Sequence, residues 1–420
     1  MVKFSFIHAA DLHLGSPFRS SARLDTDVAQ VLRRSCYRAL DQLTSLAISE
    51  HVRFVLFSGD IFDAKERNLK AQLHFRSCMK ELRDHGIQVF VVHGNHDPLD
   101  HAANMVDLPD NCHIFPARGV TWQVVSQGES PVAAVCGISF DKSHVEKNLA
   151  GMIPDCDHDC FRIAMLHCTV GQQSGHYPYA PCTLSDLTDR YGKRRVDYWA
   201  LGHVHEMKIL CHEPHVVYPG TVQGRSFAEQ GKKGVLVVKV SADRQVDMVF
   251  HEVDHVRWQE IEIDAGAFTS LSEVMDAIWV AIEQVRNQVG GRPVIVRILL
   301  TGRSEISRPL GRSDRLSDML EELQDALVAE NPFIWIESIR NFTRTTIDVE
   351  TRKRVGDLVG MILREAESMK EDPEFISRVE ETLAPLLGNK RFRQYCRESF
   401  APELSSLLDE AETLLLNRLE

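Results

Sequence analysis

Short apolar runs that each stop at a metal-binding side chain constrain this chain more than any other feature. Gln88 to Val92 is a run of β-branched and aromatic residues typical of a buried strand, and the sequence His93-Gly94-Asn95-His96-Asp97 follows it at once. In an open sheet with helices on both faces, ligands bind outside the strand ends. The turn after residue 92 is therefore predicted to carry chemistry, and the same arrangement recurs along the first 205 residues.

The first part of the chain alternates between strand and helix patterns. Strands are predicted at Lys3 to Ala9, Val52 to Phe57 and Gln88 to Val92, with amphipathic helices between them at about Thr26 to Glu50 and Asn68 to Asp84. This β-α-β-α-β order is typical of a layered α/β domain. Further strands are predicted at Val132 to Ile138, Phe161 to Leu166, Val196 to Leu201, His215 to Tyr218, Gly234 to Val240 and Val246 to Val253.

The remainder of the chain has different patterns, which predict two more domains. Residues 256–345 alternate strand, helix, strand, helix and strand, as a small α+β domain does. Residues 346–420 have only helical periodicity, which indicates either a bundle packed on its own chain or an apolar stripe offered to a partner helix. We therefore expect domains at 1–255, 256–345 and 346–420.

Composition and charge exclude several classes of protein. A hydrophobic content of 44% and a charged content of 26% are typical of a soluble, folded protein. The N terminus lacks the apolar core of a signal peptide, and no window reaches the roughly 20 apolar residues of a membrane span, which predicts a cytoplasmic protein without membrane contact. The formal net charge of -12 argues against binding nucleic acid by bulk attraction, so bound phosphates would need metal ions or a local basic cluster.

Ten cysteines are scattered along the chain and are expected to be reduced thiols. Cys156 and Cys160 bracket the sequence Asp-His-Asp and resemble half of a zinc site, but the spacing of most zinc knuckles is missing. A loop with incidental thiols is therefore favoured over a zinc site in this segment.

Eight side chains at the predicted strand ends could bind metal ions or protons. A single histidine or aspartate in such a position is usually a core or turn residue. Without His96, the group offers three carboxylate or amide oxygens and four imidazoles, which suits two divalent ions that share one carboxylate. Such a mixed donor set favours manganese, iron or zinc over calcium. The eight residues are Asp11, His13, Asp60, Asn95, His96, His167, His203 and His205.

The spacing of these residues resembles that of a known family. The motifs Asp-x-His, Gly-Asp-x-x-Asp, Gly-Asn-His-Asp, His and Gly-His-x-His follow one another between Asp11 and His205, as they do in the calcineurin-like metallophosphoesterases. Within that family the chain looks most like the DNA-repair nuclease branch, to which the bacterial SbcD and YhaO proteins belong. The resemblance implies a layered β-sandwich flanked by helices, with a small α+β capping domain and a helical C-terminal tail.

The resemblance also implies a role for each motif residue. His96 would be the general acid, because the corresponding histidine lies beside the metals without being a ligand, and Asp97 would orient it. The cofactors would be two divalent metal ions, with manganese favoured and iron or zinc as alternatives. Asp11, His13 and His205 would bind the first ion, Asn95, His167 and His203 the second, and Asp60 would bridge them.

The implied function is metal-dependent hydrolysis of phosphodiester bonds in DNA, by an exonuclease or endonuclease in DNA repair. Because nucleases of this branch work with a separate SMC-like coiled-coil ATPase, we expect such a partner and a homodimer. Two alternatives stay open: a phosphodiesterase for cyclic nucleotides or other small phosphodiesters, and a DNA-end-binding scaffold with a structural metal site. A protein phosphatase is disfavoured, because Ala64-Lys65 replaces the Arg-Gly pair of those enzymes and Asp97 replaces their glutamate.

Overall fold

The chain divides into two compact units, Met1–Trp258 and Gln259–Glu420. The boundary lies close to the predicted end of the first domain at residue 255, and the three-domain division stays a prediction. None of the helices in the described part of the chain has the length and apolar content that crossing a bilayer requires. The computed structural model describes residues 2–16, 26–63, 68–100, 106–171, 179–188, 196–327, 330–346, 349–370, 372–388, 407–408 and 411.

A six-stranded sheet forms one layer of the first unit. Its strands are β1 (Phe4–Ala9), β2 (Phe54–Ser58), β3 (Gln88–Val92), β4 (Cys112–Ile114), β11 (Gly234–Val240) and β12 (Val246–Glu252). They lie in the order β12-β11-β1-β2-β3-β4, in which β1 to β4 are parallel to one another and β11 is antiparallel to both of its neighbours.

A second six-stranded sheet forms the other layer. Its strands are β5 (Gln123–Gln127), β6 (Ser130–Ile138), β7 (Phe161–His167), β8 (Tyr198–Gly202), β9 (Lys208–His212) and β10 (His215–Tyr218). Their order is β5-β6-β7-β8-β10-β9, with β6, β7, β8 and β10 parallel and the two edge strands antiparallel.

An aromatic core lies between the two sheets. Alternate residues of β1 face it, because successive side chains of a strand point to opposite faces. The ring of Phe4 contacts Phe161 and the ring of Phe6 contacts Tyr198, with centroids 5.9 and 5.3 Å apart. All four side chains are buried, so this contact holds the sheets face to face.

Helices cover the outer face of the first sheet. These are α1 (Thr26–Ser49) and α2 (Leu69–Asp84), and the side chain of Asn68 caps α2 by accepting a hydrogen bond from the N–H of Lys70. Phe75 of α2 packs on Phe57 of β2, with ring centroids 5.4 Å apart. Both residues are fully buried. The predicted layered α/β sandwich with flanking helices is therefore confirmed.

The second unit begins with a small α+β fold. One face of α4 (Leu271–Gln288) packs on β14 (Val294–Thr301), since Val274, Ile278 and Ile282 repeat every four residues and are fully buried. The helix predicted between the first two strands of this region is α4. The remaining strands are β13 (Arg257–Asp264) and β15 (Ile334–Asn341), and the sheet order is β13-β14-β15.

Short and amphipathic helices complete the described part of the second unit. In the described ranges between residues 349 and 388 the predicted helical tail is largely helical, and most of its later residues lie outside the described ranges. The helices are α3 (Leu184–Thr188) in the first unit, and α5 (Ser307–Leu310), α6 (Ser313–Leu327), α7 (Val349–Lys353), α8 (Leu358–Lys370) and α9 (Pro373–Gly388) in the second.

Candidate metal centre

The carboxyl ends of the parallel strands in both sheets meet at one edge of the sandwich. On the first sheet, Asp11, Asp60 and Asn95 follow β1, β2 and β3 within three residues. On the second sheet, His167 ends β7 and His203 follows β8. Contacts between Asp11 and His203 and between Asp60 and His167 join the two groups.

Asp11 is a fully buried carboxylate at this edge. Its backbone N–H donates to the carbonyl of Gly59 at 3.1 Å, and its two carboxylate oxygens lie 3.2 and 3.1 Å from the backbone N–H of His203. Burial raises the pKa of Asp11 to about 6, although the nearby His205 and His167 lower it. A bound cation would favour the ionised carboxylate that burial disfavours.

Asp60 lies between histidines of both sheets. Its Oδ2 atom is 3.4 Å from His167 Nε2 and 3.9 Å from His13 Nε2, and its Oδ1 atom accepts a hydrogen bond from the N–H of His96 at 2.9 Å. Burial raises the pKa of Asp60, but His167, His96 and His13 together hold it well below its usual value. This carboxylate is therefore ionised and in reach of both groups of ligand-type side chains.

His167 contacts Asn95 through one ring nitrogen and the backbone through the other. Its Nδ1 must donate to the carbonyl of Ser58 at 3.0 Å, so Nε2 is the nitrogen that lies 3.0 Å from Asn95 Oδ1. Burial lowers the pKa of His167, but Asp60 outweighs it and raises the pKa to about 9. A proton and a metal ion would therefore compete for Nε2. His203 lies beside this group, with its ring centroid 5.3 Å from that of His167.

His13 and His205 form the other half of the centre with Asp11. Their Nε2 atoms are 3.4 Å apart, and His205 Nε2 is 3.9 Å from Asp11 Oδ1. Two imidazole nitrogens at this distance can share at most one proton, and a cation is the partner that two nitrogen lone pairs prefer. In addition, His13 Nδ1 is buried and has no hydrogen-bond partner, and burial lowers the pKa of His13 well below its usual value.

The residues fit a pair of divalent ions. Asp11, His13 and His205 form one group whose ligand atoms all lie within 4.8 Å of one another, and Asp11, Asp60 and His167 form a second group. Buried carboxylates and imidazoles are the donors that manganese, iron and zinc accept. Five of the seven side chains that the sequence suggested as ligands belong to these groups, and the other two, Asn95 and His203, lie beside His167.

Glu229 and Arg225 also belong to this site, although sequence reasoning missed them. His205 Nδ1 donates to Glu229 Oε1 at 2.7 Å, and the Arg225 guanidinium donates to the same carboxylate at 2.8 and 3.3 Å. Burial raises the pKa of Glu229, but Arg225 and His205 hold it well below its usual value. The carboxylate therefore fixes the orientation of the His205 ring and leaves Nε2 to face Asp11.

His96 lies at the mouth of the centre. Its side chain is 44% exposed, and its ring contacts that of His13 edge to face at a centroid distance of 4.9 Å. A ring nitrogen of His96 lies within 4.8 Å of ligand atoms of His13 and Asp60. Burial lowers the pKa of His96, but Asp60 and Asp63 outweigh it and the pKa is raised. His96 is thus close enough to act on a molecule bound at the centre.

Asp97 has surroundings that differ from the expected ones. The family resemblance implies that its carboxylate orients His96, but it instead accepts hydrogen bonds from the N–H groups of Gly94 at 2.8 Å and Ile61 at 2.9 Å. The carboxylate near the His96 ring is Asp63, at 3.6 Å. The reason is the tight turn after β3, which folds Asp97 back against the β2 turn. Asp97 therefore joins these two turns, and Asp63 is the acidic neighbour of His96.

Several residues of the site have positive φ angles, which residues other than glycine rarely adopt. Asp11, His13, Asp60 and His203 have φ angles of 54°, 45°, 52° and 100°. Such angles cost about 1–3 kcal/mol each and occur mainly at functional sites. Hydrogen bonds between the two turns, from Asp11 N to Gly59 O and from His13 N to Asp60 O at 3.0 Å, oppose that cost.

Gly94 and Gly202 let the backbone approach the ligands. A Cβ atom at Gly94 would lie 2.3 Å from Asp60 Oδ1 and 2.9 Å from ring carbons of His167. A Cβ atom at Gly202 would lie 1.8 Å from the carbonyl oxygen of Ser58. No side chain fits at either position, which explains the glycines in the Gly-Asn-His-Asp and Gly-His-x-His motifs.

Two family models match this chain. A family model for calcineurin-like phosphoesterases matches residues 4–207, and a model for the middle domain of metallophosphoesterase YhaO matches residues 258–344. The chain is 33% identical to the uncharacterized metallophosphoesterase YhaO of Bacillus subtilis over 80% of this chain and 81% of that protein.

Two further relatives are more distant. The chain is 25% identical to the DNA double-strand break repair protein Mre11 of Methanocaldococcus jannaschii, over 84% of this chain and 92% of that protein. It is also 25% identical to one of the subunits of the nuclease SbcCD of Escherichia coli K12, over 54% of this chain and 62% of that protein.

Proposed function

The chain belongs to the calcineurin-like metallophosphoesterases, and we propose that it is a two-metal nuclease that hydrolyses phosphodiester bonds in DNA. Membership of this family makes it a metal-dependent hydrolase. The nuclease activity, as an exonuclease or an endonuclease, is the further step of the proposal.

One observation carries the proposal: the buried Asp60 carboxylate is within 4 Å of histidines from both halves of the centre. An ionised carboxylate between two imidazole groups is suited to bridge two cations. Manganese is the favoured metal, with iron or zinc as alternatives, because the donors mix oxygen and nitrogen. Asp11, His13 and His205 are assigned to the first ion, Asn95, His167 and His203 to the second, and Asp60 to both.

Two divalent ions in such a centre would lower the pKa of a shared water and stabilise negative charge on a phosphate. Side chains of the protein supply two further functions, orientation of the ligands and donation of a proton. Glu229 orients His205 through a 2.7 Å hydrogen bond, and the Asn95 amide contacts His167. His96 is the proposed general acid, because it is partly exposed beside His13 and can donate a proton to the oxygen that leaves phosphorus.

The relatives support DNA as the substrate. One is named as a DNA double-strand break repair protein, and another is named as part of a nuclease. By analogy, we include a separate SMC-like coiled-coil ATPase, a homodimer and a cytoplasmic location in the proposal. The match of residues 258–344 to the middle domain of YhaO is consistent with a capping domain that guides DNA.

The test uses full-length protein that has been stripped of metal and reloaded with Mn²⁺. We expect it to degrade linear DNA, and we expect His96→Ala to lower the rate about 10²–10⁴-fold without loss of the fold. Rapid hydrolysis of bis(p-nitrophenyl) phosphate and cyclic nucleotides, with every form of DNA left intact, would identify a small-substrate phosphodiesterase instead. If an Asp60→Asn variant still supports DNA repair in cells, the protein acts as a DNA-end-binding scaffold and not as a nuclease.

A further inference from the structure

A second group of metal-ligand side chains lies on α1 and α2, outside the centre described above. Asp41 belongs to α1, and His74 and Cys78 belong to α2. A carboxylate oxygen, an imidazole nitrogen and the thiol sulfur of these residues all lie within 4.8 Å of one another. None of the three residues takes part in the strand-end motifs, so the proposed nuclease activity does not account for them.

The spacing along α2 places two of the donors on one face. His74 and Cys78 are four residues apart, which is about one helical turn. His74 Nε2 lies 2.8 Å from Asp41 Oδ1, and Cys78 Sγ lies 3.8 Å from the same oxygen. The two helices therefore direct three different donor types to one point.

The surroundings of this group suit an ion that enters from solvent. The side chains of Asp41 and His74 are 37% and 31% exposed, whereas Cys78 is buried. The ring of Tyr37 contacts the His74 ring edge to face at 5.2 Å and restricts its orientation. Although Asp41 Oδ1 is near, the buried Nε2 of His74 has no aligned hydrogen bond. This nitrogen therefore has a nearby charge and no hydrogen-bond partner.

We propose that Asp41, His74 and Cys78 bind one divalent transition-metal ion, with zinc as the best match, and that this ion links α1 to α2. Thiolate, imidazole and carboxylate are the ligand types of protein zinc sites, and a water molecule would complete a tetrahedral set. Sulfur and nitrogen donors disfavour magnesium and calcium. Because metal binding must displace the thiol proton, the affinity increases with pH.

Cobalt titration of the metal-free, full-length protein tests this proposal. A cobalt–thiolate bond gives a charge-transfer absorption in the near ultraviolet. The metal centre at the strand ends, here called the strand-end centre, cannot give this absorption, because none of its assigned ligands is a cysteine. We expect one equivalent of Co²⁺, beyond the cobalt that the strand-end centre binds, to produce this absorption and zinc to remove it. The absorption should be lost in Cys78→Ser and should need at least about tenfold more cobalt in His74→Gln.

Cys112→Ser is the matched control. Burial raises the pKa of Cys112 to about 12, as it does for Cys78, but Cys112 belongs to none of the metal-ligand groups among the described residues. This variant should keep the full absorption. The proposal is wrong if no charge-transfer band appears once the strand-end centre is saturated, or if the band persists in Cys78→Ser. If Cys78→Ser does not fold, an unchanged band in the partly exposed His74→Gln variant contradicts the proposal equally.

Discussion

Asn95 and His96 are adjacent in one turn, yet their side chains have different surroundings. The Asn95 amide oxygen lies 3.0 Å from His167 Nε2, inside the centre. The His96 ring is partly exposed and lies 3.6 Å from the carboxylate of Asp63. This difference supports the division of roles that we propose, in which Asn95 holds a metal ion and His96 holds a proton.

Replacement by alanine should therefore lower the metal affinity at one of the two positions and the rate of hydrolysis at the other. Asn95→Ala should weaken binding of the second ion by at least about tenfold, because one ligand is lost. His96→Ala should bind two ions as the unchanged protein does and slow turnover about 10²–10⁴-fold. Calorimetric metal titrations and initial rates on linear DNA measure the two effects. Full activity of the His96 variant would show that His96 is not the general acid.

Gly94→Ala tests the close approach of the backbone to the ligands. The added methyl group would overlap Asp60 Oδ1 and the His167 ring, so both ligands must move. We expect a loss of activity of about 10²-fold, which is typical of a displacement of about 1 Å at a reacting centre. Gly151→Ala is the control, because no atom lies within 4 Å of its added methyl group. Equal activity of the two variants would contradict this view of the turn.

The short 3-10 helix Phe227–Glu229, which lies between β10 and β11, completes the centre from a region without a metal motif. The Ser226 hydroxyl caps it by accepting a hydrogen bond from the N–H of Ala228 at 3.3 Å. Its last residue, Glu229, then contacts both His205 and Arg225. A short loop element thereby fixes the tautomer of a proposed ligand.

Glu229→Gln should weaken metal binding about 10–100-fold, which is the usual effect of removing the acidic partner of a ligating histidine. The measurement is the Mn²⁺ concentration at half-maximal hydrolysis. Glu206→Gln, whose carboxylate is 71% exposed and pairs with Lys208, is the control and should leave that concentration unchanged. If both variants have the same metal dependence, Glu229 does not orient His205.

The sequence predicts the buried elements well and the edges poorly. Strands such as β3 and β7 contain four consecutive apolar residues, so their position and their polar ends could be predicted. Three strands were not predicted: β4, β5 and β9. They are three to five residues long and largely half-buried or exposed at sheet edges, where the hydrophobic pattern is weak.

The candidate site is predictable only where a residue belongs to a motif. The seven ligand-type residues stand out because each lies at the end of a strand or shortly after it. Glu229 has no such position, and its contact with His205 depends on the path of the chain between β10 and β11. Asp63 and Asp97 are both acidic residues in motif turns, and only the folded turns decide which of them approaches His96. Spacing therefore predicts candidate ligands better than it predicts their supporting contacts.

The centre as a whole depends on the pairing of two sheets. The first sheet supplies Asp11, Asp60 and Asn95, and the second supplies His167 and His203. Neither sheet alone supplies all of the assigned ligands, because His13 follows β1 of the first sheet whereas His205 follows β8 of the second. The aromatic core between the sheets therefore sets the distances within the centre, and stability and activity of the first unit are linked.

Arg257 is the charged residue on which the stability of the first unit should depend most visibly. It is buried and donates two hydrogen bonds to the buried Asp254 carboxylate, at 2.9 and 3.0 Å, and another to Glu252 at 2.7 Å. Arg257→Ala leaves a buried charge uncompensated and should lower the free energy of unfolding by about 3–5 kcal/mol. Urea denaturation followed by the fluorescence of the buried tryptophans measures this change.

The exposed Arg118 provides the comparison. Its side chain is 87% exposed and lies 3.5 Å from Asp141, so Arg118→Ala should change the free energy of unfolding by only about 0–1 kcal/mol. Similar changes in the free energy of unfolding for the two variants would show that the ion pairs of Arg257 do not stabilise the first unit.

Cleavage of linear duplex DNA with Mn²⁺, compared between the unchanged protein and Asp60→Asn, is the decisive experiment for a two-metal nuclease. The substitution keeps the shape of the side chain but removes the charge that is proposed to bridge two ions. We predict that the unchanged protein degrades the DNA and that Asp60→Asn is slower by at least about 10²-fold. DNA left intact by the unchanged protein at every Mn²⁺ concentration, or equal cleavage by both proteins, would contradict this function.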